Sequence, residues 1–231
     1  LKSFIIFIIV FSAYEIMAGL LTANSIYLVV FVLRAEIDIV ILIFGLFLLG
    51  AMISVPFWVH LAKKLDDNKK AFTIGGFVIC AALIPMTFFQ TLIDLLIFTF
   101  ILGIAMGSLW TLLLPVIQPN VLDDFVVNTE KNQKGIQVGL TTFILRLTAT
   151  FDEFLIALIH TLTGFRPGYD TYEEMAKTGA DMNLVIWGIR MLQGIIPMFI
   201  LLVGMIIFWK FYPLTQDVVK KNKAKLEELG F

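Results

Sequence analysis

Only one cysteine, Cys80, occurs in the 231 residues, so no disulfide can close within the chain, and two histidines beside it give no metal-ligand spacing. Charge is scarce as well. Charged residues make up 15% of the chain and the formal net charge is −1, so no basic field points to nucleic acid. Ser108, Cys80 and the two histidines show no spacing for a nucleophile–base or metal constellation at membrane depth, and an enzyme is not expected. No lipid-modification motif is present. The first apolar run, Phe4 to about Leu33, exceeds the ~7–15 residues of a signal-peptide core. It reads as a spanning helix, in a chain that starts at Leu1 and is expected to be cut from something longer.

What is abundant is apolar surface. Hydrophobic residues make up 59% of the chain and the mean hydropathy is +0.94, far outside the range of a water-soluble domain of this length. The expected class is an all-α polytopic membrane protein. A bilayer core needs roughly 20 apolar residues per helix, and six such runs are present, at about 3–33, 38–62, 71–90, 92–118, 135–163 and 184–212. Between them lie short polar joints, a charged loop 119–134, an acidic loop 164–183 and a charged tail 213–231, read as solvated and cytoplasmic. Twelve of the seventeen Lys and Arg residues fall on one side of this arrangement. Only Arg34, Arg166 and Lys177 fall on the other, so both termini are expected in the cytoplasm of a plasma-membrane protein.

Two cations, Arg146 and Arg190, lie inside apolar runs. A charge near the bilayer centre costs at least ~2.5–3.5 kcal/mol on insertion scales and requires a partner or a watery cavity. Arg146 is about 11 residues, or roughly 16 Å of helix, from the cytoplasmic end of its run. At ~100° per residue, Gly135, Gly139, Thr142, Arg146, Thr150, Glu153, Ala157 and His160 fall in one stripe of small and polar residues, expected to face a polar interior. Asp152 lies about 120° off the middle of that stripe. Glu15, near mid-membrane in the first run, is the candidate counter-ion for Arg146, and Asn24 is expected either to line the same cavity or to bond to a neighbouring helix. Arg190 and Asp94 sit nearer run ends, within reach of the headgroups. Trp110 is a candidate stacking platform for a ligand ring, and Pro115 and Pro119 predict a kink at the end of their run.

These features resemble the C-terminal half of a major facilitator superfamily transporter. The nearest likeness is to the glycoside–pentoside–hexuronide:cation symporter family, the group of melibiose permease. The loop Asn120-Val121-Leu122-Asp123-Asp124-Phe125, then Thr129-Glu130-Lys131-Asn132 and Gly135, follows that family's loop between its tenth and eleventh helices. Asp123, Thr129 and Gly135 match it. Asn120, Asp124, Glu130 and Asn132 depart from it, and Lys131 is the nearest basic residue to the family's arginine. Arg146 falls on the position of a functionally important lysine, and Trp110 within one residue of a sugar-site tryptophan. Pro56-Phe57-Trp58 to Lys69-Lys70 resembles the superfamily's basic joint, and Phe211-Tyr212-Pro213-Leu214-Thr215 its closing helix and tail.

The resemblance implies one half of a major facilitator fold, built as two inverted three-helix repeats, 3–90 and 92–212. It implies sugar:cation symport by alternating access, with Arg146, Glu153, Asp152, Glu15, Thr150, Trp110 and Asn24 as substrate or coupling residues. Asp123, Asp124, Thr129, Lys131 and Gly135 would form a gating loop. The partners implied are a sugar, the bilayer and a missing N-terminal six-helix half. No cofactor is expected beyond a coupling Na+ or H+, whose main site would lie in that half. The alternatives are a carrier of lipid or another amphipathic solute on the same scaffold, a non-transporting membrane subunit, and a truncated product.

Overall fold

A computed structural model describes residues 2–229. Leu1 and residues 230–231, the ends of the expected first span and tail, lie outside the described residues. The elements are all helical. They are α1 (Lys2–Tyr27), α2 (Ile39–Leu65), α3 (Asn68–Leu83), α4 (Pro85–Phe88), α5 (Leu92–Leu112), α6 (Gln118–Thr129), α7 (Lys134–Leu162), α8 (Tyr172–Ala176), α9 (Met182–Gln193), α10 (Ile195–Phe211) and α11 (Gln216–Glu228). Wide π-helical turns continue α1 through Leu28–Leu33 and join α5 to α6 through Leu113–Ile117.

Among the described residues five stretches are long and apolar enough to cross a membrane: Lys2–Leu33, Ile39–Leu65, Asn68–Phe88, Leu92–Thr129 and Met182–Phe211. Their outward faces carry residues such as Ile41, Met52, Ile93 and Phe199, all more than half exposed, as lipid-facing helices require. The remaining long helix, α7, matches them in length at 29 residues, but Arg146, Asp152 and Glu153 make it less apolar.

Local chemistry sets the ends. Thr91 and Asp94 form a reciprocal capping box at the start of α5, so Asp94 is spent on backbone N–H groups there. Asp67 caps α3 by accepting from Lys70 N–H at 3.0 Å. The last apolar run is two helices, broken at Gly194, where the freed Ile195 N–H donates to Thr87 Oγ1 at 3.1 Å. Arg190 is held at the turn before α5. Its guanidinium donates to the carbonyls of Thr87 and Phe89 and lies over the Phe89 ring, closing the C-terminal end of α4.

Two further expectations are corrected. The charged stretch after Pro119 is a helix rather than a loop, because Pro119 occupies its first turn, where a missing N–H is harmless, and Val121 and Val126 are buried in the body of the protein. The expected kink at Pro115 appears as the π-helical turn that leads into it. Likewise the tail is not a free solvated segment. α11 buries Val219, Asn222 and Leu226 and packs on α6.

α1 is the organising helix, packed against α10, α7, α9 and α6, while α2 lies along α5. At the α2–α5 crossing the backbones nearly touch, since a Cβ on Gly103 would overlap the Phe47 carbonyl oxygen. Trp58 Nε1–H donates to Ile104 O at 2.8 Å across the same pair.

Candidate transport site

α7 starts where its face can turn, after Gln133, and runs without interruption to Leu162. Its buried residues are Gln137, Thr141, Thr148, Asp152, Ile156 and His160. At ~100° per residue these form one face centred near Asp152. The small and polar stripe therefore looks the other way. Gly135, Gly139, Thr142, Arg146, Thr150, Glu153 and Ala157 are exposed, and of the stripe only His160 is buried. The expectation that the stripe is enclosed is corrected: within this chain it is an open face, flanked by exposed Phe143, Leu147, Phe151 and Phe154. A helical wheel groups residues into faces but does not say which face meets a neighbour.

The buried face meets α1. Asp152 is 7% exposed, and its Oδ2 fills the space beside Gly19 that a Cβ would need. Only glycine permits this approach. Glu15 stands one turn before Gly19 on α1 and is half-buried. Among the described residues the ion pairs are Lys70–Asp67, Lys134–Asp123 and Lys225–Glu228, so the expected pair between Glu15 and Arg146 is not formed. Arg146 lies about 120° around α7 from Asp152 and points to the open face, whereas Glu15 belongs to the α1 side that Asp152 approaches.

Asn24 takes the second of its two expected roles. It is fully buried, and its amide donates to Ile189 O and to Gln193 Oε1, both at 2.9 Å, tying α1 to α9 rather than lining a cavity. Trp110 does line one. A mostly apolar cavity of about 110 Å³ lies between α1, α2 and α5, bordered by Tyr14, Phe47, Thr99, Met106, Trp110 and Gln193. A wider hollow of about 1050 Å³ opens where α1 and α7 diverge and is lined by Tyr27, Phe31, Glu153, His160 and Phe165. There the His160 ring stacks on Phe165 at 4.3 Å and meets the edge of Tyr27.

The expected gating residues divide. Asp123 pairs with Lys134 Nζ at 2.6 Å, joining α6 to the start of α7. Asp124 accepts from Ser3 Oγ at 2.6 Å and from Asn222 Nδ2 at 2.9 Å, joining α6 to α1 and to α11. Burial and the nearby Asp124 carboxylate push the Tyr212 phenol well above its ordinary range. Thr129 bonds only to nearby carbonyls, Lys131 is exposed, and Gly135 has open space around its Cα. Ser3, Gly19, Thr87 and Asn222 carry no motif, and sequence reasoning missed them.

A family model described as MFS/sugar transport protein matches residues 1–216. The chain belongs to that family. That family is one of carriers rather than enzymes. It is similar to the sphingosine-1-phosphate transporter MFSD2B of Xenopus tropicalis, with 28% identity over 187 residues, which cover 78% of this chain and 33% of that protein. The chain thus spans about a third of the length of the curated relative it matches.

Proposed function

We propose that this chain forms one six-helix bundle of a secondary transporter for an anionic, amphipathic solute, with α7 as the sixth span and its open face turned to a second bundle of the same protein. The observation that carries this reading is Arg146, exposed on α7 and without an ion pair among the described residues, with Phe143 and Leu147 exposed on either side. A cation in apolar surroundings suits a phosphate or carboxylate head joined to hydrocarbon. The apolar cavity between α1, α2 and α5 suits the hydrocarbon part. The similar relative is by name a sphingosine-1-phosphate transporter, which agrees with this choice. Alternating access, cytoplasmic termini and a plasma-membrane location belong to the same proposal, the termini resting on the uneven distribution of lysines.

A sugar substrate keeps one observation in its favour, the partly exposed Trp110 ring on a cavity that also holds Tyr14 and Gln193. The two readings separate in vesicles containing the full-length transporter. Labelled sphingosine-1-phosphate should be taken up by the wild type, and Arg146→Ala should reduce uptake to background while leaving the yield of folded protein intact. Uptake of a disaccharide with no uptake of the lipid would overturn the assignment.

A further inference from the structure

Four of the seven buried side-chain atoms without a hydrogen-bond partner among the described residues lie on α7: both amide atoms of Gln137, Asp152 Oδ1 and His160 Nε2. The seam between α7 and α1 is therefore where buried polarity is left over. Asp152 is the ionisable group at its centre. Its carboxyl lies against Gly19, in space that a Cβ would fill, and Oδ1 has less than 1 Å² exposed and no hydrogen-bond partner. Toward the outer end, Leu20, Ile156 and Leu192 form a separate apolar cluster that seals the contact. Gly19 and Asp152 also lie at matching heights, roughly 26 Å and roughly 27 Å from the starts of α1 and α7.

The charged and titratable groups around Asp152 offer it no cation. Glu15 and Tyr14 lie on the neighbouring part of α1, and Glu153 and His160 on α7 itself. Arg190 of α9 is committed to the Thr87 and Phe89 carbonyls, and Arg146 is on the open face. An ionised carboxylate held this way would stand unpaired beside two other acids, an arrangement that desolvation and like charge both disfavour. Nor does the donor set suit a metal ion, since among the described residues no three His, Cys, Asp or Glu side chains gather closely enough to hold one.

We propose that Asp152 is a proton-binding site gated by the α1–α7 contact: its carboxylate takes a proton to form a neutral acid when the seam is closed over it, and releases that proton to water or to Glu15 when the helices part. The O–H bond made on closing is the one broken on opening, and the transmembrane proton gradient supplies and removes the proton. This rests on the transport reading for its use but not for its test.

The test is infrared difference spectroscopy on the purified full-length protein across pH. Wild type should show at neutral pH the carbonyl stretch of a protonated carboxyl in apolar surroundings, shifted in deuterium oxide, and Asp152→Asn should lose that band. A wild type without the band, or an Asp152→Asn variant that keeps it, overturns the proposal. Should Asp152→Asn fail to fold, Gly19→Ala takes its place. The added methyl expels the carboxyl from the seam, and the band should then vanish at neutral pH, whereas an unchanged band overturns the site. In vesicles Asp152→Asn should lose the acceleration of sphingosine-1-phosphate transport by an imposed proton gradient. An unaltered response to the gradient contradicts the proposal. A wild type that moves no sphingosine-1-phosphate would defeat the substrate assignment alone, because the infrared result stands apart from it.

Discussion

The α2–α5 pair and the α1–α7 pair are both close helix contacts, and they are built on opposite principles. Between α2 and α5 the backbones touch at Gly103, Trp58 gives its indole proton across the pair to Ile104 O, and Ser54 bonds back to Ala51 O on its own helix. Between α1 and α7 the glycine is used to admit a carboxyl, whose second oxygen has no partner. Satisfied polar groups at close approach fix a contact, whereas a buried group left short of partners is stable only while nothing better is offered. The first pair reads as scaffold and the second as a contact made to open.

Damage to the scaffold pair should be the most severe. Gly103→Leu drives a side chain into the Phe47 carbonyl, a backbone atom that has no rotamer to yield, and folded protein should fall to background in detergent extracts. Recovery at the wild-type level would show that the α2–α5 contact is looser than described. Arg190→Ala comes next. It removes a charged donor from two carbonyls at the end of α4, a loss of about 2 kcal/mol that a thermal melt of the purified protein would register. Transport per folded molecule should survive, and its loss would place Arg190 in the working seam. Smallest is the coupling between Glu15 and Arg146. The two groups are not paired, so in a cycle of Glu15→Gln, Arg146→Gln and the double variant the effects on stability should add to within about 0.5 kcal/mol. A larger interaction energy would restore the pair in another conformation.

Much of this arrangement is legible in the chain itself. The long helices follow from apolar length alone, and 100° spacing groups Arg146 with Thr150 and Glu153 and sets Asp152 apart from them. What spacing cannot supply is the neighbour. Asp152 is buried because Gly19, 133 positions earlier, leaves room for it. The helix at Gln118–Thr129 was hidden for a related reason: its Asp, Asn and Thr residues favour turns locally, and its contacts with Ser3 and Asn222 lie at the two ends of the chain. The break at Gly194 depends on Thr87 in the same way. In each case the deciding partner is remote in sequence, and hydropathy does not report it.

The two faces of α7 can be compared directly by the reaction of introduced cysteines with a water-soluble thiol reagent, in a background where the buried Cys80 is replaced by serine. Arg146→Cys should react readily at rest. Asp152→Cys should be protected at rest and react only while the full-length transporter turns over with sphingosine-1-phosphate. Equal reactivity at the two positions, unaffected by solute, would contradict the division of α7 into an open face and a seam that parts.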